Sequence, residues 1–158
     1  MSAKETPRAY GGSAYKSKTL ATWIALLGGS LGLHRFYLYG WRDVPGWLHP
    51  WPTLAGLHGV RRMLELGQDD RVAWALIPLL GLMLAQAALF AILYGLTPDA
   101  RWDARHNPGQ PVQDTRWGPV LGAIAALMLG AGVLMATIAF SGQRYFEWQI
   151  EQARRISQ

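Results

Sequence analysis

Two long stretches without a charged residue constrain this chain more than any other feature of its sequence. Residues 72–96 (VAWALIPLLGLMLAQAALFAILYGL) and 118–140 (GPVLGAIAALMLGAGVLMATIAF) run for 25 and 23 residues without Asp, Glu, Lys or Arg. A helix of about 20 residues crosses a hydrocarbon core of about 30 Å. Buried helices of soluble proteins seldom run this long without a polar face. The two stretches therefore predict an integral membrane protein.

Two shorter uncharged blocks precede them, and the whole chain is 51% apolar and only 16% charged. The first block, residues 19–33, has 15 uncharged residues. If it continues through His34 and Arg35 to residue 40, it covers 22 residues. The second block, residues 44–60, has 17 uncharged residues. Their lengths alone fit core helices, re-entrant segments or short spans. We expect an all-α integral membrane protein: a four-span helical bundle with a short helical hairpin over residues 19–66 and two longer spans.

The distribution of positive charge predicts the topology. If residues 44–60 cross the membrane, ten Lys and Arg lie on the side of both termini and five on the other side; if they do not, the split is seven and eight. Cytoplasmic loops are enriched in Lys and Arg, so the count favours four spans with both termini cytoplasmic. Residues 97–117 then form an external loop, and Asp69 and Asp70 precede the third span, where carboxylates suit a helix N-terminus.

The remaining segments are polar. Residues 1–18 are expected to form a flexible N-terminal tail, and residues 141–158 an amphipathic C-terminal tail. The first tail also resembles the n-region of a signal peptide, which is less favoured because no small-x-small cleavage site precedes His34. The chain has twelve Arg and three Lys, an excess that favours a bacterial source and hence the inner membrane.

The residue types present argue against catalysis. The chain has no cysteine, which excludes disulfides, thiolate metal sites and iron–sulfur clusters. All ten carboxylates lie outside the uncharged blocks, which disfavours an ion-coupled transporter. No nucleophile–base arrangement or nucleotide-binding loop is present, and the basic residues are too scattered to track a nucleic acid. We expect no enzymatic activity, cofactor or nucleic-acid partner.

Histidines and small residues suggest two kinds of contact between helices. His34 and His49 could hold a haem or a metal between helices, but a histidine near the interface more often makes a hydrogen bond, so no metal is expected. Small residues let membrane helices approach closely. We expect packing contacts, and a compact bundle or a homo-oligomer, from Gly28, Gly29, Gly122, Ala126 and Gly130.

The stretch GGSLGLHRFYLYG at residues 28–40 resembles the hallmark of the two-transmembrane (TM-two) domain family. The residues that match its G-x-H-R-F-Y-x-G-like motif are Gly32, His34, Arg35, Phe36 and Tyr37, with Gly40 as the closing glycine if one extra residue is allowed. The resemblance covers residues 16–66, about a third of the chain. It implies a membrane hairpin with the motif in its tight linker, and it implies no known biochemical activity. The family's Trp-x-x-x-Asp-like end of the second helix is absent, and Arg61-Arg62 stands there instead.

The motif has a structural and a functional interpretation. In the first, Arg35 snorkels to lipid phosphates or caps the first helix, and Phe36, Tyr37, Tyr39 and Trp41 anchor the hairpin apex at the interface. In the second, His34 and Arg35 bind a lipid headgroup or an acidic residue of a partner.

Three functions are compatible with these features. We expect a non-enzymatic accessory or scaffold subunit of a membrane assembly, held by the lipid bilayer and a membrane-protein partner. The alternatives are a small oligomeric channel or transport component, and a protein that binds anionic lipid through Arg35, Arg61 and Arg62.

Overall fold

The computed structural model describes residues 14–157, which are helical with no strand. It has seven helices within these residues, and a 3₁₀ turn at Gly29–Leu31 separates the first two. The helices are α1 Lys18–Gly28, α2 Leu33–Tyr39, α3 Val44–Leu48, α4 Pro50–Leu66, α5 Arg71–Leu96, α6 Asp99–His106 and α7 Gly118–Ile156. The expected all-α class is confirmed.

Helices α5 and α7 are long and apolar enough to cross a membrane. Their large side chains face outward: Leu82 and Leu89 on α5 and Met128 and Ile138 on α7 are all exposed. Eight of the ten buried hydrophobic residues in the described chain are alanines. A protein folded in water places its large apolar residues inside, so this distribution suits an apolar solvent.

Helix α5 lies at the centre, with α1, α4 and α7 packed against it. Helices α5 and α7 are antiparallel, because Gly95 adjoins Pro119 at one end and Arg71 pairs with Glu151 at the other. We call the end of α5 at Leu96 the α6 end. The opposite end, beside the α4–α5 connection at residues 67–70, is the turn end.

The first two helices form a hairpin that begins and ends at the α6 end. At the start of α1, the Lys18 ammonium donates to the carbonyl of Thr97 at 2.9 Å and pairs with Asp99. The chain reverses at the 3₁₀ turn, where Gly29 lies against Ala87 near the middle of α5. Helix α2 then runs back, and its Leu38 carbonyl accepts a hydrogen bond from the Lys16 ammonium.

This hairpin corrects the expected topology. A 22-residue span over residues 19–40 does not form, because the backbone turns back at Gly29–Leu31. The hydroxyl of Tyr15 donates to Asp103, and the amide of Lys16 donates to the side chain of Asn107. The N-terminal segment and the 97–117 loop therefore meet at the α6 end, so their expected placement on opposite sides of a membrane is wrong.

Helices α3 and α4 carry the chain to the turn end. Helix α4 runs antiparallel to α5, from His49 beside Gln86 to Arg62 beside Asp70. Gly56 allows a close approach, since a Cβ there would lie 2.5 Å from the Leu80 backbone nitrogen. Asp70 caps α5 by accepting from the Val72 amide at 3.3 Å, as its position before the third block predicts.

The fourth uncharged block and the C-terminal tail form one helix rather than two segments. Helix α7 has 39 residues and is about 58 Å long at 1.5 Å per residue. It begins at the α6 end and passes the turn end, where Arg71 pairs with Glu151. The two ends of the described chain therefore lie at opposite ends of the molecule.

Candidate functional site

Two glycines delimit the helix that carries the His-Arg-Phe-Tyr motif. Gly32 precedes α2 with φ 79° and Gly40 follows it with φ 82°, a left-handed region that favours glycine. A Cβ at Gly32 would also collide with the carbonyl of Gly46. The motif therefore occupies the returning arm of the hairpin and not its apex, which corrects the expected position.

Arg35 joins α2 to the start of α3. Its guanidinium donates to the carboxylate of Asp43 through Nε at 2.6 Å and through Nη2 at 3.1 Å. The same carboxylate caps α3 by accepting from the Gly46 amide at 2.9 Å. The Arg35 guanidinium holds the pKa of Asp43 below its usual range. Arg35 is thus bound within the protein, and it does not cap α1 as one expectation proposed.

The motif aromatics are also internal contacts. Phe36 packs on Trp41 and Trp47 with ring centroids 5.1 Å apart in each pair. The hydroxyl of Tyr37 accepts from the amide of Ser17, the N-cap of α1, at 2.8 Å. Of the four aromatic residues expected to anchor the hairpin at the interface, only Tyr39 and Trp41 have exposed side chains.

His34 is completely buried, with 0% of its surface exposed. Its ring lies 4.9 Å from that of Phe90, 5.9 Å from Tyr94 and 5.6 Å from His49, measured between centroids. Neither of its ring nitrogens has a hydrogen-bond partner among the described residues. The fold brings His34 and His49 together, but the described residues hold no group of three or more His, Cys, Asp or Glu placed for a metal.

A cavity of about 380 Å³ lies at the α6 end, between α2, the last turns of α5, and α6. We call it the arginine pocket. Its polar and aromatic lining residues are Arg35, Tyr39, Tyr94, Thr97, Arg101, Trp102, Arg105 and His106, and its apolar ones are Phe90 and Leu93. Three arginines thus line a cavity that has an apolar wall, an arrangement that suits a ligand with a negatively charged end and an apolar end.

The short helix α6 contributes its arginines to the pocket and directs its carboxylates to other contacts. Its sequence DARWDARH repeats Asp-Ala-Arg at a spacing of four, which places like residues on one helix face. Asp99 pairs with Lys18 and accepts from the Thr115 amide at 3.0 Å. Asp103 accepts from the Tyr15 hydroxyl at 2.9 Å. Both carboxylates are engaged away from the pocket.

The two arginines of the repeat have no such partner. In residues 14–157, neither Arg101 nor Arg105 forms an ion pair with a carboxylate. The Arg35 charge is balanced by Asp43. His106 is uncharged at neutral pH, since burial, and then the charges of Arg105 and Lys16, lower its pKa. The net positive charge of the pocket therefore comes from Arg101 and Arg105.

The ion pair on the opposite face of α6 persists over a wide pH range. Burial on its own would raise the pKa of Asp99, but hydrogen bonds from Lys18 and Thr115 outweigh it and lower the pKa to about 2. The carboxylate thus stays charged, and α6 keeps its orientation, well below neutral pH.

The structure separates the arginines expected to bind lipid together. Arg61 and Arg62 lie at the turn end and are already paired with Glu65 and Asp70, each at 2.7 Å. Arg35 lies at the other end, beside the arginine pocket. The three arginines therefore do not share one site, and lipid binding through them stays a prediction.

Sequence analysis missed the residues of α6. The 97–117 segment was expected to form an external loop, with no helix and no buried side chain assigned to it. Instead, Trp102 is 2% exposed, and its indole N–H donates to the Lys16 carbonyl at 2.8 Å. The repeat of Asp-Ala-Arg at helical spacing was the one available indication of a charged face.

The expected packing residues lie at several helix contacts. Gly29 adjoins Ala87 and Gly130 adjoins Ala88, both on α5. Gly122 adjoins Thr22 on α1, and Gly28 adjoins Leu33 across the hairpin turn. Ala126 is buried in a cluster with the α1 residue Ala25 and with Ala88 and Ala91 of α5.

Comparison with protein-family models, with curated proteins and with solved structures gave no match to this chain. The resemblance to the TM-two family therefore rests on the motif alone and stays a prediction.

Proposed function

We propose that this protein is an integral membrane protein that binds an anionic ligand in the arginine pocket. The observation that carries the proposal is the convergence of Arg101 and Arg105, neither paired with a carboxylate in the described chain, on one cavity. Guanidinium groups bind phosphate and carboxylate through paired hydrogen bonds. The apolar wall at Phe90 and Leu93 strengthens such contacts, because charges interact more strongly in a less polar environment.

The proposed membrane path has three crossings and one re-entrant hairpin. Segment α3–α4, α5 and α7 cross, and the α1–α2 hairpin enters and leaves at the α6 end. The support is the exposure of leucines along the helices, which continues on α4 at Leu54, Leu57 and Leu64. The reversal between α1 and α2 replaces the fourth crossing.

The charge distribution favours a cytoplasmic α6 end. Seven Lys and Arg of the described chain lie at or near this end, and Lys4 and Arg8 precede it in the sequence; six lie at the turn end. The excess of positive charge marks the cytoplasmic side. The arginine pocket then faces the cytoplasm, and the end of α7 lies on the opposite side, in place of two cytoplasmic termini.

Anion binding can be measured with the purified protein in a neutral detergent. Inorganic phosphate should raise the melting temperature of the wild type, since a ligand at ten times its Kd adds about 1.4 kcal/mol of stability. Arg101→Gln with Arg105→Gln should abolish the shift. The control is Arg42→Gln with Arg116→Gln, which removes two charges from the same end outside the pocket and should keep the shift. Equal responses of both double variants would contradict the proposal.

A second candidate function is that of an accessory subunit in a membrane assembly. It is favoured by the far end of α7, where residues 141–156 extend for about 24 Å at 1.5 Å per residue. Tyr145, Phe146 and Ile150 are exposed there, and exposed apolar clusters mark interaction sites. Phe146→Gln with Ile150→Gln should dissociate a complex seen on native gels in mild detergent. If the full chain migrates as a monomer, this candidate fails.

A further inference from the structure

We infer that the ligand of the arginine pocket is the headgroup of an anionic phospholipid that enters sideways from the bilayer. This inference rests on the anion-binding function proposed above and specifies the source of the anion. A phosphate group is common to lipid headgroups and to free inorganic phosphate, so the depth, opening and size of the pocket must distinguish the two.

The pocket extends from the membrane surface toward the membrane interior. Its lining runs from Arg101 and Arg105 on α6 to Phe90, which lies six residues before the end of α5. Phe90 on α5 and Thr97, the residue after its last turn, both line it and are seven residues apart, which corresponds to about 10 Å along a helix. A phosphate held by the arginines would leave this depth for a glycerol backbone and the first methylene groups.

The apolar wall continues onto the outer surface of α5. Leu93 lines the pocket and is also 52% exposed. Leu89 and Leu96 lie one helical turn away on the same face and are 53% and 64% exposed. An acyl chain could pack along this row of leucines into the bilayer, whereas an inorganic anion would make no favourable contact with it.

The size of the pocket also exceeds the needs of a small anion. Its volume is about 380 Å³, whereas one water occupies about 30 Å³ in the liquid. Inorganic phosphate, with five heavy atoms, would fill only a fraction of it. Tyr39 and Tyr94 also line the pocket, and each hydroxyl can donate to a phosphate or ester oxygen.

The charge of the pocket selects against neutral lipids. Arg101 and Arg105 supply two positive charges without a carboxylate partner in the described chain, and a zwitterionic headgroup would bring its own ammonium close to them. The cytoplasmic leaflet is the one that exposes anionic lipid, and the proposed orientation places the pocket there. Phosphatidylglycerol should therefore bind in preference to phosphatidylcholine.

Native mass spectrometry of the full-length protein, delipidated and titrated with defined lipids, tests the inference. The wild type should retain phosphatidylglycerol at least tenfold more strongly than phosphatidylcholine. Arg101→Gln with Arg105→Gln should remove this preference, and the control Arg42→Gln with Arg116→Gln should keep it. A second pair probes the apolar wall: Leu93→Gln should weaken phosphatidylglycerol binding severalfold, while Leu82→Gln, on an exposed part of α5 outside the pocket, should not.

A parallel titration with inorganic phosphate separates the two levels of the proposal. If phosphate binding depends on Arg101 and Arg105 but phosphatidylglycerol shows no preference, the lipid inference is overturned and anion binding stands. If neither ligand depends on these arginines, both are overturned. A lipid preference that survives Arg101→Gln with Arg105→Gln would assign it to the general surface charge and would also overturn the inference.

Discussion

The two ends of the molecule carry similar numbers of arginines and use them differently. At the turn end, four of the six arginines have a carboxylate partner at 2.6 or 2.7 Å: Arg61, Arg62, Arg71 and Arg144. At the α6 end, Arg35 is paired with Asp43, but Arg101 and Arg105 face a cavity. The carboxylates of α6 are held instead by the N-terminal segment and the loop that follows α6.

Whether an arginine has a carboxylate partner, and not how many arginines lie at one end, distinguishes a contact between helices from a binding site. Arg144 illustrates the first use, because its guanidinium pairs with Glu147 and lies over the rings of Trp74 and Phe140 at 5.2 and 5.4 Å. That arginine holds α7 against α5. Arg101 and Arg105 make no comparable contact with the described chain and remain available to a ligand.

The largest expected effect comes from Gly32→Ala. The new Cβ would collide with the Gly46 carbonyl, and alanine is strained at a φ of 79°. We expect a loss of about 2–4 kcal/mol, at the upper end of what a strained backbone costs, together with loss of anion binding. Gly132→Ala is the control, since no atom lies within 4 Å of a Cβ there and its φ is not positive; it should not lower the stability. Equilibrium unfolding in detergent measures both, and equal losses would refute the close packing of the hairpin against α3.

Asp43→Asn should act oppositely on stability and on binding. Asparagine keeps the cap of α3 but leaves the Arg35 guanidinium without its carboxylate, so the melting temperature should fall. The freed charge beside the pocket should raise the affinity for inorganic phosphate severalfold. Glu65→Gln, which unpairs Arg61 at the turn end, should leave that affinity unchanged. An affinity that responds to both variants alike would show that the two ends are not distinct.

Acid should affect the α6 end only below pH 4. The pKa of Asp99 is lowered to about 2 in the folded protein, against an ordinary carboxyl value of about 3.9. Its contribution to stability is therefore complete above pH 4 and is lost as the pH falls toward 2. Asp99→Asn should flatten this part of the melting profile. A loss of stability centred between pH 5 and 7 that Asp99→Asn removes would contradict the assignment.

The smallest effect is expected for Arg61→Gln. The Arg61 and Glu65 side chains are 76% and 56% exposed, and exposed pairs contribute less than about 1 kcal/mol. Unfolding should change by less than about 0.5 kcal/mol, and binding of phosphate should not change. A loss of stability comparable to that of Gly32→Ala would mean that the Arg61–Glu65 pair is essential to the fold at the turn end.

The all-α class and the two long helices follow from local sequence. Their uncharged runs are long enough to cross an apolar solvent, where a helix satisfies all its backbone hydrogen bonds within one segment. The hairpin does not follow, because residues 19–40 contain no proline and only one charged residue, Arg35, and a glycine-rich run fits either a span or a turn. Its reversal depends on Gly29 meeting Ala87, a contact between residues far apart in sequence.

Only part of the pocket could be predicted from the sequence. The repeat of Asp-Ala-Arg separates carboxylates from guanidinium groups by helical geometry alone. Which face points inward depends on Lys18 and Tyr15, and Tyr15 lies 88 positions before its partner Asp103. No local pattern contains that information.

Single-cysteine labelling tests the hairpin most directly, since the chain has no cysteine of its own. Ala14→Cys, Val112→Cys, Gln68→Cys and Ser157→Cys place one thiol each at exposed positions. In sealed vesicles, an impermeant maleimide should label Ala14→Cys and Val112→Cys from one side and Gln68→Cys and Ser157→Cys from the other. Labelling of Ala14→Cys and Gln68→Cys from one side and of Val112→Cys from the other would establish a continuous span over residues 19–40 and contradict the account.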